Sequence, residues 1–218
     1  IQAELNNENK SIWKVIVKSG NDNNSEESTF TCRNLVNAAG LQASTVAHRI
    51  TDLNKSLIPE IHFVKGNYFS LNRTCPFDKL IYPVPVPGGL GTHLTIDLGG
   101  QAQFGPDVEY LKKSKFDDEF DFEKSSFDYK VKFEKRNEFY KDVSRWWPKL
   151  NVEDLVPGYS GIRPKLSSPG DTPKDFMIQT PKDNYLPGLI QLFGIESPGL
   201  TASLAIAEEI EKIVSENK

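Results

Sequence analysis

Cysteine, methionine and histidine are scarce in this chain, with two, one and three residues respectively among 218. Cys32 and Cys75 lie far apart without CxxC spacing, which excludes a disulfide scaffold and a thiolate zinc cluster. They read as free buried thiols in a reducing compartment, a single disulfide being the alternative. His48, His62 and His93 share no ligand spacing, so no metal is expected. No apolar run approaches the roughly 20 residues that span a bilayer, and neither a signal peptide nor a transit peptide is visible. Neither sign of charge dominates: 26 Lys and Arg against 30 Asp and Glu give a net charge of −4. That lacks the basic excess of a nucleic-acid footprint, and no nucleic-acid partner is expected. Also missing are a GxSxG elbow, a GxxxxGK[ST] phosphate loop and a GxGxxG turn. The acidic run from Asp117 to Asp121 does not have calcium-loop spacing.

What is present is ordinary globular material, 38% hydrophobic and 26% charged. A chain this long buries roughly 70% of its unfolded surface and folds without staples. The β-branched run Ile12–Val17 predicts a strand, the polar stretch Ser19–Asn24 a loop, and Thr29–Cys32 the returning hairpin partner. Leu35–Gly40 reads as a short buried strand entering a glycine turn, followed by a helix reaching Ala47 and His48. From Ile61 to Phe104 the pattern predicts a meander, with strands at Ile61–Val64, Asn67–Leu71, Lys79–Val84, His93–Leu98 and Gln101–Phe104. Gly88–Gly89 and Gly99–Gly100 supply the tight turns. Pro83, Pro85 and Pro87 would remove ladder donors, so that segment is an edge or a substrate-lining loop.

Residues 107–147 predict a helical layer on the sheet, with Phe139, Val143 and Trp146 or Trp147 at helical spacing and Pro148 as its stop. Further strands are expected at Gly161–Pro164, Phe176–Gln179 and Leu189–Phe193. A terminal helix carries the apolar stripe Leu200, Leu204, Ile206, Ile210, Ile213 and Val214.

Three places could hold chemistry. In Gly194–Thr201, Ser197 and Pro198 suit the N-cap and first position of the last helix, whose N–H groups would then face an anion or a carbonyl-rich ring. Gly194 and Gly199 would let a ligand approach the backbone; a merely well-capped helix explains the segment about as well. Arg163, between Ile162 and Pro164, suits a substrate carboxylate, although on the residues alone a structural ion pair is slightly favoured. His93 at a strand start could serve as a general base, although a lone histidine is more often structural.

Seven segments in order carry a family resemblance: Val36–Gly40, Lys65–Phe69, Ile81–Pro85, Gly89–Thr95, Phe104–Asp107, Gly161–Leu166 and Gly194–Ala202. From Leu35 to the C-terminus the chain resembles the FAD-dependent oxidoreductases of the D-amino-acid oxidase superfamily, most closely the branch acting on L-2-hydroxyglutarate. The resemblance implies an α+β fold: an antiparallel substrate-binding sheet with helices, plus the last strand and helix of a Rossmann-like FAD domain. It implies residues 1–58 as the remainder of the FAD domain, 59–158 as the substrate domain and 159–218 as the return to the FAD domain.

By the same resemblance, Ala39 and Gly40 pass beside the flavin nucleotide, and Gly194, Ser197, Pro198, Gly199, Leu200 and Thr201 hold the ring and ribityl chain. Arg163 clamps the substrate carboxylate, His93 acts as base and Tyr68 as hydrogen-bond donor; Lys65 or Lys165 could take a second carboxylate. The implied reaction oxidises a 2-hydroxy acid to a 2-oxo acid with hydride transfer to FAD. Amino-acid or glycerol 3-phosphate oxidation is the alternative within the superfamily, and a non-catalytic binding module that has lost FAD the alternative outside it. The location implied is intracellular, mitochondrial for a eukaryotic 2-hydroxyglutarate enzyme; the electron acceptor is not implied.

The GxGxxG unit that opens the family is not found before Ile12, so the expected partner of these residues is an N-terminal nucleotide-binding segment. The 218 residues alone are then expected to bind FAD poorly and to show little activity, which stoichiometric flavin absorbance in the purified chain would refute.

Overall fold

Alternation at the N-terminus folds as its period dictates. In the computed structural model, which describes residues 2–5, 12–20, 26–84, 91–111 and 127–216, β1 (Gln2–Leu5), β2 (Trp13–Ser19) and β3 (Glu26–Cys32) form an antiparallel sheet in the order β1-β2-β3. Trp13 is fully buried and its indole N–H donates to the Pro187 carbonyl at 2.8 Å, which ties this sheet to the C-terminal third of the chain. The Asn-rich loop, Pro85, Pro87, Gly88–Gly89 and the acidic run 117–121 lie outside the described residues.

A second sheet has the order β10-β11-β4, from Met177–Gln179, Leu189–Phe193 and Leu35–Asn37. Its β11–β4 pair is parallel, whereas β10–β11 is antiparallel. All five residues of β11 are buried, as befits a central strand covered on both faces. In β4, expected to be buried throughout, only Asn37 is; Val36 is 40% exposed because β4 forms one edge of this sheet. Helix α1 (Ala43–His48) follows, placing Ala43 and Ala47 against Trp13, Ile50 and Phe193 in one core cluster.

The third sheet is built on one long strand. The two strands expected at 61–64 and 67–71 are a single β5 (His62–Leu71), because Gly66 does not break the run but lets Pro106 pack on the backbone, where a Cβ would lie 2.8 Å from the proline ring. β9 (Leu155–Lys165) pairs with β5 along its length, while β7 (Ala102–Gly105) and β8 (Glu109–Tyr110) pair with its two ends, and β6 (His93–Ile96) pairs with β7. The strand expected at 79–84 is reduced to one bridge between Ile81 and Leu94. The boundary expected between 158 and 159 falls inside β9.

The fold is therefore mixed α+β. Helix α2 (Arg136–Val143) lies over the third sheet: Phe139 and Val143 are buried, and the Phe139 ring sits 4.7 Å from that of Phe69. Each such ring contributes about 1.5–3 kcal/mol on burial. Short helix α3 (Pro181–Asn184) starts on Thr180, whose side chain and that of Asp183 form a capping box.

The last helix, α4 (Ser203–Glu216), keeps the expected apolar spacing, but none of its residues is buried among the described residues, and Leu204 is 79% exposed. No helix among the described residues is long and apolar enough to cross a membrane. Both cysteines are free and half-buried rather than fully buried, and burial raises the Cys32 thiol pKa.

Candidate active site

Strand register brings the candidate side chains together. Between β5 and β9 the pairing runs Asn67 with Ser160 and then Phe69 with Pro157, so Gly158 and Tyr159 together face Tyr68. This β-bulge on β9 adds one residue and re-aims its side chains. Tyr159 consequently stacks on Tyr68, with ring centroids 4.5 Å apart and planes 10° from parallel. Tyr159 and Arg163 both act on the Tyr68 hydroxyl: burial, then the neighbouring Tyr159, raises the pKa of its phenol, outweighing the opposing effect of Arg163. Arg163 stands four residues beyond Tyr159 on the same strand.

His93 reaches this group through the next two strands. It opens β6, where its register partner is Gly105 at the end of β7. A Cβ on Gly105 would lie 2.6 Å from Tyr68 Cδ1 and 2.6 Å from the Asn67 carbonyl oxygen, and Gly105 has φ +152, so only glycine lets β7 lie this close to Tyr68. His93 is 6% exposed, its Nδ1 has no hydrogen-bond partner among the described residues, and its ring centroid is 4.6 Å from that of Tyr82. Burial, and then the Arg163 charge, hold its pKa below the ordinary 6.5. The imidazole is thus neutral near pH 7 and able to accept a proton.

Below the tyrosines a polar network fixes the strands. Asp107 accepts from the Asn67 backbone N–H at 2.7 Å and from Lys135 Nζ at 2.7 Å, and Lys135 also reaches Glu109 at 3.0 Å. Burial by itself would raise Glu109, but bonds from Lys135 and Asn67 outweigh it and hold the carboxyl low; burial would lower Lys135, but Asp107 and Glu109 raise it. Lys65, a candidate for a second carboxylate, is instead engaged with the carbonyl oxygens of Asp128 and Lys130 at 2.6 and 2.7 Å, anchoring that segment to the sheet. Lys165 pairs with Glu196 at 2.7 Å, and Arg163 approaches the other Glu196 oxygen at 3.8 Å.

The parallel pair β11–β4 sets a second group. Gln191 is in register with Asn37, so Ala39–Gly40 and Gly194–Thr201 emerge at the carboxyl ends of adjacent parallel strands, the usual place for a ligand in such sheets. Gly40 has φ +58 and open space where a side chain would stand.

Two expectations for Gly194–Thr201 are corrected. Ser197 and Pro198 do not cap the last helix, which begins only at Ser203; turns occupy 197–202, with Ala202 N–H donating to the Pro198 carbonyl at 3.0 Å. Gly194 and Gly199 do not face open space: Cβ atoms there would lie 2.6 Å from Leu166 and from the Glu196 carbonyl oxygen, so both glycines serve packing within the chain. The N–H groups of Leu200 and Thr201 donate no hydrogen bond among the described residues, and Gln191 Nε2, fully buried, has no partner there either. This donor set beside an open glycine fits a carbonyl-rich, anionic cofactor such as a flavin nucleotide.

Tyr159, Glu196, Tyr82 and Gly105 were not given roles from sequence. For Tyr159 a signal existed: Tyr-x-Gly-x-Arg in a strand places tyrosine and arginine on one face. The others depend on register between distant strands.

A parallel strand pair joined to an antiparallel sheet with an arginine–tyrosine–histidine cluster defines a two-part α+β fold. L-α-glycerophosphate oxidase of Mycoplasma pneumoniae, solved with FAD bound, has this fold, with a TM-score of 0.70 at 21% identity over 98% of this chain and 49% of that one. Residues 2–213 match the family described as FAD dependent oxidoreductase, and the chain belongs to that family. It is 48% identical over 182 residues to the mitochondrial L-2-hydroxyglutarate dehydrogenase of Arabidopsis thaliana, covering 81% of this chain and 36% of that protein. It is 26% identical to the glycerol 3-phosphate oxidase of Mycoplasma genitalium, over 95% of this chain and 50% of that protein. The chain thus spans between about a third and a half of the length of these relatives.

Proposed function

We propose that this chain carries the substrate-binding half of an FAD-dependent dehydrogenase that oxidises L-2-hydroxyglutarate to the 2-oxo acid. The observation that carries the reading is the convergence of Arg163, Tyr68 and a buried neutral His93 from three different strands, in a chain 48% identical to an L-2-hydroxyglutarate dehydrogenase. Residues 59–158 are read as substrate domain, flanked by 1–58 and 159–218 as parts of the FAD domain.

FAD, when bound, supplies two-electron oxidation by accepting the substrate's α-hydrogen as hydride. Ala39, Gly40, Ser197, Pro198, Leu200 and Thr201 would hold it, with Gly194 and Gly199 shaping that loop. Arg163 binds the carboxylate through its guanidinium fork, and the Tyr68 hydroxyl donates to the same carboxylate. His93 takes the hydroxyl proton on its unpartnered Nδ1. Tyr82 covers His93 and limits its access to water. Because the relative is named as mitochondrial, the same compartment is proposed for this protein.

The test is turnover by the flavin-loaded enzyme with an artificial electron acceptor, offering L-2-hydroxyglutarate, glycerol 3-phosphate and sarcosine. Only the first should be oxidised, and Arg163→Met should lower kcat/KM about tenfold to a hundredfold, the loss of one charge-assisted hydrogen bond. Oxidation of glycerol 3-phosphate in preference to the hydroxy acid, or full activity of Arg163→Met, refutes the assignment.

A further inference from the structure

One carboxylate already sits against two cations in this molecule. Arg163 and Lys165 alternate on β9, so their side chains leave the same face about 6.6 Å apart along the strand. Glu196 divides its oxygens between them, Oε1 to Lys165 at 2.7 Å and Oε2 to Arg163 at 3.8 Å. The two contacts are unequal. The first is a full charge-assisted hydrogen bond, whereas the second lies outside hydrogen-bond range and leaves the Arg163 fork available beside Tyr68. All three side chains are largely sheltered, with 14–24% of their surface exposed. Lys65, the other lysine considered for a second carboxylate, is engaged by two backbone carbonyls. Between Tyr159 and Arg163 the strand carries Gly161, where nothing stands within 4 Å of a side-chain position.

We propose that Lys165 reads the distal carboxylate of a dicarboxylic substrate, and that Glu196 is the internal carboxylate that holds Lys165 in place until the substrate displaces it. The proposal rests on the reading of this site as a 2-hydroxy-acid site and specifies how it distinguishes diacids from monoacids. With Glu196 in place, the two cations present one net positive charge, which matches the α-carboxylate alone. When the distal carboxylate takes Lys165, Glu196 turns away toward solvent, and the exchange replaces one ion pair by another. The spacing of the two cations matches a short-chain diacid lying along β9 from Arg163 to Lys165. Glu196 belongs to the segment proposed to hold FAD, so arrival of a diacid also moves a residue of that loop.

The experiment compares binding of glutarate and butyrate, which cannot be oxidised, with turnover of L-2-hydroxyglutarate and 2-hydroxybutyrate, all with the flavin-loaded enzyme. The parent should prefer glutarate, and Lys165→Met should weaken glutarate about tenfold while changing butyrate less than about twofold. Glu196→Gln, which removes the competing carboxylate, should tighten glutarate several-fold and butyrate, which meets only the more distant Arg163 contact of Glu196, by less. Lys165→Arg retains the charge and should retain the preference, so the test stands even where Lys165→Met fails to fold. Equal weakening of both acids by Lys165→Met, loss of the preference in Lys165→Arg, or weaker glutarate binding in Glu196→Gln overturns the proposal. A parent that prefers glutarate but oxidises no 2-hydroxy acid overturns the functional reading and supports this one. Oxidation of L-2-hydroxyglutarate with the same selectivity in Lys165→Met does the reverse.

Discussion

Replacing Asp107 by asparagine tests whether the network beneath Tyr68 holds the candidate site in shape. Asp107 accepts from the Asn67 backbone N–H at 2.7 Å, from Asn67 Nδ2 at 3.0 and 3.1 Å, and from Lys135 at 2.7 Å, with its side chain 18% exposed. An isosteric carboxamide keeps one acceptor, loses the charge and points N–H groups at other donors. Losing a charged acceptor costs about 1.5–3 kcal/mol, and a donor left facing a donor adds about 1 kcal/mol, so the expected loss is about 2–4 kcal/mol. In a chain of this size that lowers Tm by about 5–12 °C.

The check is thermal and urea unfolding, with the urea slope unchanged if only stability is altered. Lys135→Met gives the electrostatic counterpart. In the parent, Glu109 titrates below its ordinary value, so its stabilisation is complete above that value and fades as pH falls through the folded pKa. Without Lys135, Asp107 and Glu109 face each other as like charges and Glu109 loses the main partner that holds its carboxyl low, so the deficit of the variant should be largest near pH 7 and shrink toward pH 4. An Asp107→Asn chain melting within about 1 °C of the parent, or a Lys135→Met deficit that grows on acidification, would show that the network does not support the strands.

Two further outcomes bear on the site. His93 is held below 6.5 by burial and by Arg163, so it stays deprotonated to lower pH than a free imidazole; the acid limb of kcat/KM should lie below 6.5 and move upward in Arg163→Met. A parent limb at or above 6.5, or one unmoved by that substitution, would remove His93 as the base. Gly105→Ala puts a Cβ 2.6 Å from both the Asn67 carbonyl and Tyr68 at φ +152, which should cost about 2–4 kcal/mol and raise KM by displacing Tyr68. Gly161→Ala, with open space and no positive φ, should stay within about 0.5 kcal/mol of the parent; both are read by thermal unfolding and steady-state kinetics, and equal behaviour of the two glycines would contradict the packing argument.

Local signals foretold the elements whose stability is local. The β2–β3 hairpin, α1, the core side of α2 and the buried β11 all follow from period, caps and β-branched runs. The strand expected at 79–84 failed because Ile81 alone meets the ladder at Leu94, and alternation cannot say whether a neighbouring strand exists to pair with. The break expected between Val64 and Asn67 is absent for a related reason: Gly66 continues the strand and admits Pro106, forty residues later in the chain, against its backbone. Ser197–Pro198 matched an N-cap by composition, but the backbone from 197 to 202 folds as successive turns and the helix starts at Ser203.

The candidate site was legible one residue at a time and not as an arrangement. Arg163 stood out because a cation among apolar strand residues needs a partner, yet the residues alone slightly favoured a structural ion pair over a carboxylate substrate. The structure shows why both descriptions apply: Arg163 faces Glu196 at 3.8 Å and its charge also acts on the Tyr68 hydroxyl. Where Tyr159 meets Tyr68, β9 carries one extra residue, and a bulge is a property of the pairing between two strands rather than of either strand's sequence. Remove that residue and the ladder closes with Tyr159 directly opposite Tyr68, so the bulge sets how the two rings overlap and not which face they share. Deleting Gly158 should therefore reduce substrate binding less than an alanine at Tyr159, because the deletion leaves Tyr159 opposite Tyr68 and Arg163 in register with Val64.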